Sequence, residues 1–179
     1  MLRLRNSGTD HRKYMRMISV WCDIVAPLYW WKEFDTYKVG TVENSCSTMH
    51  KIHEKRFSVD DFSREHICED VDHRHPQTQI VKTEANPIYL DDTQILIYTV
   101  AMLNELRELY VKTKDNRYWH KMIQLLPSSY NQKRTVMLNY EVLANMYKSR
   151  KDHKLDEWHV FCDWIETLPY SEIVTGKEI

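Results

Sequence analysis

A strand that runs directly into a helix is the sequence feature that most constrains the fold. Residues 133–139 read K-R-T-V-M-L-N, and β-branched and apolar side chains of this kind are typical of a strand. Residues 140–150 follow without a turn and place Val142, Leu143 and Met146 on one side of a helix. We therefore expect a mixed α/β fold in which this strand and this helix pack on one core.

The rest of the chain predicts further helices and strands within a single domain. A length of 179 residues suits one domain, residues 1–179, with a buried core. We expect the polar, histidine-rich stretch at about 53–87 to form an insertion or lid on that domain. The other predicted elements are a strand at 15–25, a helix from Pro27 to about residue 39, a polar loop at 41–49, a long helix capped by Asp91-Asp92, and helices at 117–125 and 156–168.

The composition excludes several classes of protein. The chain has three glycines and contains neither G-x-G-x-x-G nor G-x-x-x-x-G-K-[ST], which argues against a dinucleotide-fold dehydrogenase and a P-loop enzyme. A formal charge of −1 provides no bulk field for a nucleic-acid polymer, so we expect none as a partner. The longest apolar stretch, residues 18–31, is too short to span a membrane and contains Asp23 and Pro27.

The cysteines and histidines predict neither disulfides nor a metal centre. Four scattered cysteines form no C-x-x-C pair, and the start of the chain lacks an apolar secretory segment, so we expect reduced thiols in a cytoplasmic protein. Four possible metal ligands are close in sequence, but their spacing matches no common zinc pattern. They are His66, Cys68, His73 and His75. We therefore predict no metal.

Residues 126–152 resemble a segment of the flavin-dependent thymidylate synthases. That family has an L-P pair, an aromatic and basic strand, an Asn, and then a helix reading L-x-N-F-L-x-L-R-x-D. This chain matches the pattern at seven positions across 27 residues, without a gap: Leu126, Pro127, Asn139, Leu143, Asn145, Arg150 and Asp152. The chain resembles a divergent, N-terminally short member of the family, of the kind found in phages.

The resemblance implies an α+β fold, an activity, two ligands and an assembly. The family methylates dUMP with methylenetetrahydrofolate and FAD, and it forms homotetramers whose sites lie between subunits. Transferred to this sequence, catalytic roles fall on Ser47 and Arg150. Binding of dUMP is implied for Asn44, Ser47, Lys133, Arg134 and Arg150, and binding of FAD for Tyr37, Lys38, Asn139 and Asn145.

One segment departs from the family pattern and keeps three hypotheses open. Thr36, Tyr37 and Lys38 stand where the family has R-H-R, which removes two arginines that would hold flavin and nucleotide by charge-assisted hydrogen bonds. The chain is then a flavin-dependent enzyme, a non-catalytic nucleotide- or protein-binding module on the same fold, or a structural protein. Arg150 has two interpretations as well, because a basic residue at this position also suits a helix C-terminus.

Overall fold

A computed structural model describes residues 1–45, 47–68, 78–81 and 88–176. Contacts divide the chain into two compact units. The first combines Met1–Cys46 with Gln132–Ile179, and the second is Ser47–Asn131. The organisation of 1–179 as a single domain stays a prediction.

The described part of the chain contains α-helices, β-strands and two short 3₁₀ segments, Lys13–Met17 and Val59–Asp61. The elements are α1 (Leu2–Asn6), β1 (Ser19–Pro27), α2 (Leu28–Phe34), β2 (Thr41–Ser45), α3 (Thr48–Lys51), α4 (Glu65–Cys68), β3 (Thr78–Val81), β4 (Ile88–Leu90), α5 (Asp92–Thr113), α6 (Asn116–Leu125), β5 (Asn131–Asn139), α7 (Tyr140–Arg150), α8 (Asp156–Glu166) and α9 (Ser171–Thr175).

A three-stranded sheet forms the frame of the first unit. Its strand order is β1-β5-β2, and β2 pairs antiparallel with β5 so that Thr41 lies opposite Leu138. Val136 and Leu138 alternate along β5 and are fully buried, as expected for a strand with one face on the core. The predicted mixed α/β fold is confirmed, and the structure shows that its sheet is small and antiparallel.

Aromatic side chains fill the core of the first unit. Trp30 and Phe34, one helical turn apart on α2, are at most 1% exposed, and their ring centroids are 5.1 Å apart. Trp158 of α8 is fully buried with its ring centroid 4.6 Å from that of Trp30. These rings tie α2 to α8, because large buried aromatic surfaces contribute most of the packing energy of a small core.

A second core lies within the second unit, where α5 packs against α6. Leu103 of α5 and Met122 of α6 are fully buried in it, together with Phe57 and Phe62. These two phenylalanines belong to the stretch predicted as a lid at about 53–87, so part of that stretch contributes to a core. Residues 69–77 and 82–87 of the same stretch lie outside the described residues, and its role as a lid stays a prediction.

The structure confirms most predicted elements of the chain and corrects others. The helix capped by Asp91 is α5, and α6, α7 and α8 lie within two residues of their predicted bounds. The prediction of a loop at 41–49 was wrong for residues 41–45, which backbone pairing with β5 makes a strand, and for residues 48–49, which belong to α3. The helix predicted from Pro27 to about residue 39 ends at Phe34. The predicted strand at 15–25 begins instead at Ser19, because Lys13–Met17 is a 3₁₀ segment that buries Met15.

Candidate functional site

Two adjoining cavities form a groove along α7. The first cavity has a volume of about 430 Å³ and is lined by Arg16, Asn139 and Glu141, among others. The second cavity also has about 430 Å³ and is lined by Arg5, Lys148 and Lys151. Thr9, Arg12 and Asn145 line both cavities. Because the cavities share these residues, we treat them as one candidate site.

Helix α7 orients two asparagines in the first cavity. Asn139 is the N-cap of α7, and its Oδ1 accepts a hydrogen bond from the backbone N–H of Val142 at 3.0 Å. Asn145 is exposed on the same helix, and its Oδ1 accepts from Nη2 of Arg12 at 3.0 Å. Both amides use their oxygens in these bonds, and neither Nδ2 group has a hydrogen-bond partner among the described residues.

A glycine allows the chain to approach the start of α7. Gly40 has a φ of +85°, a backbone conformation that side chains disfavour. A Cβ atom at this position would lie 2.6 Å from Nδ2 of Asn139. The turn before β2 therefore closes one side of the first cavity only because residue 40 has no side chain.

Glu141 sets the charge of the first cavity. Its carboxylate accepts a hydrogen bond from Arg16, and that bond holds the pKa of Glu141 below its ordinary value. Nε of Arg12 lies 3.6 Å from Oε1 of Glu141, too far for a hydrogen bond, and this buried Nε has no hydrogen-bond partner among the described residues. Because the two guanidinium groups of Arg12 and Arg16 face the single carboxylate of Glu141, the first cavity carries a net positive charge.

The lowered pKa of Glu141 predicts a pH-dependent contribution to stability. A carboxyl with a depressed folded pKa stabilises above its unfolded pKa of about 4.3, and the stabilisation is lost as the pH falls through the folded value. We expect Glu141→Gln to lower the free energy of unfolding at pH 7 by about 0.5–1 kcal/mol, the range of solvent-screened ion pairs. Urea unfolding at pH 7 and pH 3 measures this.

Glu108→Gln is the matched control for this effect, since Glu108 pairs with Arg56 at 3.7 Å in an exposed position. The control should leave the acid dependence of stability as it is in the natural chain. If the free energy of unfolding changes between pH 7 and pH 3 by the same amount in Glu141→Gln as in the natural chain, the assigned role of the carboxylate is contradicted.

Arg150 lies in a different cluster, built around Glu33. Its Nη1 donates to Oε2 of Glu33 at 2.7 Å, and its Nε donates to the hydroxyl of Tyr37 at 2.9 Å. The guanidinium also stacks on Trp158, 4.8 Å from the ring centroid. Glu33 accepts a further hydrogen bond from Nε1 of Trp158 at 2.9 Å, and Nε2 of His153 lies 3.3 Å from Oε2 of Glu33. Arg150 is thus bound within the first unit, and its predicted contact with a nucleotide stays a prediction.

The two basic residues predicted on β5 are also paired with carboxylates. Nζ of Lys133 lies 2.6 Å from Oδ2 of Asp23. Nη1 of Arg134 lies 2.6 Å from both Asp35 and Glu43, and its guanidinium stacks on Trp31 at 4.3 Å. A nucleotide phosphate would have to compete with these carboxylates, so both residues support the sheet in the present conformation.

The remaining predicted site residues are not among the residues that line the groove. Asn44 is exposed on β2, opposite Thr135. Lys38 is exposed in the turn before β2. Ser47 belongs to the second unit, where its Oγ accepts from the backbone N–H of His50 at 3.3 Å. Of the nine predicted residues, the structure brings together Asn139 with Asn145, and Tyr37 with Arg150.

The sequence interpretation missed the cations of the groove. Five residues supply them: Arg5, Arg12, Arg16, Lys148 and Lys151. The nearly balanced composition concealed this local patch. A usable signal was the density of basic residues near the start of the chain, together with the spacing of Asn145, Lys148 and Lys151, which places all three on one side of α7.

Metal and thiol chemistry have no support in the described part of the chain. Within it, no three His, Cys, Asp or Glu side chains are grouped to hold a metal ion, and His73 and His75 lie outside it. Burial raises the pKa of Cys22 and of Cys162 to about 11, so both are protonated at neutral pH. No described helix is long and apolar enough to cross a membrane.

Comparison with known proteins gives a likeness at the level of the fold. No protein-family model matches the chain, and no curated protein sequence matches it. A flavin-dependent thymidylate synthase from Helicobacter pylori, solved with FAD and dUMP, superposes with a TM-score of 0.54 at 12% identity, covering 97% of this chain and 91% of that chain. The fold is similar to that of this enzyme.

A second structure of a Helicobacter pylori flavin-dependent thymidylate synthase with FAD and dUMP gives the same result. Its TM-score is 0.53 at 13% identity, over 94% of this chain and 82% of that chain. The fold implied by residues 126–152 is thereby confirmed. At this identity the likeness concerns the fold, and function must be argued from the groove itself.

Proposed function

We propose that this chain binds a uridine nucleotide such as dUMP in the first cavity, as a divergent protein with a flavin-dependent thymidylate synthase-like fold. The observation that carries the proposal is the buried Nε of Arg12, which has no hydrogen-bond partner among the described residues. A buried donor left unsatisfied costs about 1–3 kcal/mol. A phosphate oxygen would supply the missing acceptor and would meet the net positive charge of Arg12, Arg16 and Glu141.

The amides of the first cavity suit the uracil ring. Uracil presents two carbonyl oxygens as acceptors, and Asn139 and Asn145 each have an Nδ2 donor that is not used within the described chain. Val39 and Val142 supply apolar surface for the flat ring. The fold neighbours from Helicobacter pylori are complexes with dUMP, which supports a nucleotide of this class.

FAD is proposed as a second ligand, because the same fold neighbours contain it. The orphaned Nε of Arg12 fits an FAD phosphate as well as it fits the phosphate of dUMP, so the two ligands would occupy the groove in turn. Asn139 and Asn145 would hold FAD, with Tyr37 and Lys38 as further contacts implied by the resemblance. When bound, FAD supplies electron-transfer chemistry; the residues of this chain bind and orient it.

A binding module without catalysis is the second candidate, and one observation favours it. Arg134 and Arg150, the two arginines assigned to the nucleotide by resemblance, are held by Glu33, Asp35 and Glu43. In this conformation neither arginine is free to stabilise charge on a reacting nucleotide. Methyl transfer to dUMP with catalytic roles for Ser47 and Arg150, in a homotetramer, therefore stays a prediction.

Arg12→Ala tests the proposed binding. We expect dUMP to raise the melting temperature of the natural chain, since a ligand at 100 times its Kd stabilises by about 2.7 kcal/mol. Loss of one charged hydrogen bond of about 1.5–3 kcal/mol should weaken dUMP binding at least tenfold in Arg12→Ala. Thermal-shift titration with dUMP, followed by calorimetric titration for the Kd, measures both effects.

Lys13→Ala removes the same charge one residue away, outside the first cavity, and should bind dUMP as the natural chain does. Absence of any dUMP effect on the natural chain would overturn the proposal. A parallel titration with FAD, followed by its visible absorbance, distinguishes the two candidates. Binding of both ligands supports the flavin-dependent candidate, and binding of dUMP alone supports the module without catalysis.

A further inference from the structure

The second cavity is more cationic than the first. Arg5, Arg12, Lys148 and Lys151 line it, and the described lining contains no Asp or Glu. The first cavity, by contrast, includes the carboxylate of Glu141. Lys151 lies 4.0 Å from Oδ2 of Asp152, which does not line the cavity, so a single phosphate beside Arg12 would leave Arg5 and Lys148 without a counter-charge among the described residues.

Three separate elements bring these cations together. Lys148 and Lys151 are three residues apart at the end of α7 and therefore lie on one side of it. Arg5 comes from α1, and its guanidinium is fixed by hydrogen bonds to the backbone carbonyls of Ile173 at 3.2 Å and Val174 at 3.1 Å. Arg12 precedes the 3₁₀ segment and reaches Asn145. The guanidinium groups are positioned before any ligand arrives.

The dipole of helix α7 explains only part of this arrangement of basic residues. Basic residues in the last turn of a helix are stabilised by the negative end of its dipole, which accounts for Lys148 and Lys151 on α7. Arg5 and Arg12 belong to other elements, and their approach adds repulsion between like charges. A polyanion in the second cavity would turn that repulsion into attraction.

We propose that the second cavity is a pyrophosphate-binding subsite. The ligand of the groove then carries a diphosphate. Arg12, which lines both cavities, binds the first phosphate, and Lys148 and Lys151 bind the second phosphate. This inference rests on the proposed function in placing the nucleoside in the first cavity. The pyrophosphate group belongs either to a nucleoside diphosphate or to a dinucleotide such as FAD.

Calorimetric titration of the full chain at low ionic strength tests the subsite. The probes are dUMP, dUDP and inorganic pyrophosphate. We expect dUDP to bind at least tenfold more tightly than dUMP, and pyrophosphate to bind without a nucleoside. The double variant Lys148→Ala/Lys151→Ala should bring the affinity ratio of dUDP to dUMP close to 1. Raising the salt concentration should lower the same ratio in the natural chain.

Lys32→Ala/Lys154→Ala is the matched control, because it removes two exposed lysines of the first unit that line neither cavity. The control should keep the ratio of the natural chain. Circular dichroism confirms that each double variant is folded. If the ratio of dUDP affinity to dUMP affinity is as high in Lys148→Ala/Lys151→Ala as in the control, the assignment of these lysines is wrong.

The remaining outcomes separate the subsite from the proposed function. If dUMP binds and dUDP binds no more tightly, the subsite is wrong and the proposed function stands. If pyrophosphate and dUDP bind but dUMP does not, the proposed dUMP site fails and the subsite stands. If no probe binds, both fail. FAD and FMN form a second pair of probes: a preference for FAD that is lost in Lys148→Ala/Lys151→Ala identifies the dinucleotide as the source of the pyrophosphate.

Discussion

Trp158→Ala is expected to lower the free energy of unfolding by about 3–5 kcal/mol, the usual cost of removing a buried Trp. Trp158 is fully buried and packs its ring against Trp30 and Phe161. The substitution also removes the Nε1 donor that binds Glu33 at 2.9 Å. Because a small protein is stable by only about 5–15 kcal/mol, the variant should be close to unfolding at 37 °C. Urea unfolding measures the loss.

Two further variants separate packing from hydrogen bonding. Trp158→Phe keeps a smaller aromatic ring but loses the donor and some buried volume, so it should cost about 1–3 kcal/mol, less than Trp158→Ala. Trp21→Ala removes an indole that is 71% exposed, and it should change stability by about 0.5 kcal/mol or less. A cost for Trp158→Ala no larger than that for Trp21→Ala would contradict the central position of this ring.

Arg150→Met is expected to lower the free energy of unfolding by about 2 kcal/mol. The change keeps the apolar stem but leaves Glu33 without its arginine and Tyr37 without its donor. Removing one partner of a buried ion pair costs about 3–5 kcal/mol, and we reduce that figure because the Glu33 side chain is 34% exposed. Urea unfolding of the purified variant checks the value.

A double-mutant cycle with Glu33→Gln isolates the pair. We expect the two changes together to cost about 1–2 kcal/mol less than the sum of the single changes, as for residues in direct contact. Additive costs would show that the two side chains do not interact. A dUMP titration of Arg150→Met belongs with this cycle: unchanged affinity in a folded variant assigns Arg150 to the scaffold, and lost affinity assigns it to the nucleotide.

Local patterns were enough to predict the part of the fold that positions the site. β5 and α7 are continuous in sequence, and their hydrophobic periodicity and the Asn139 cap are encoded within a few residues. β2 was not predictable in this way, because its residues T-V-E-N-S are largely exposed and become a strand only by pairing with β5, about 90 residues later in the chain. Such pairing is a tertiary effect that overrides local propensity.

The candidate site was predicted only in part, for the same physical reason. Asn139 and Asn145 were assigned by the resemblance, whose motif lies within β5 and α7 and is therefore local in sequence. The binding of Arg150 by Glu33 depends on side chains 117 residues apart, and the groove depends on Arg5 and Arg12 from the start of the chain. Charges that are balanced over the whole sequence can still be separated in space, and only the fold shows where.

Side-chain amide resonances of Asn139 and Asn145, followed by ¹H–¹⁵N NMR during a dUMP titration, test the central claim most directly. Both Nδ2 groups lack a partner among the described residues, so binding in the first cavity should shift both resonances together with the backbone amides at the start of α7. The side-chain amide of Asn104, buried in the second unit and bonded to Phe57, should not move. Saturating dUMP that leaves both Asn139 and Asn145 unshifted would contradict the account.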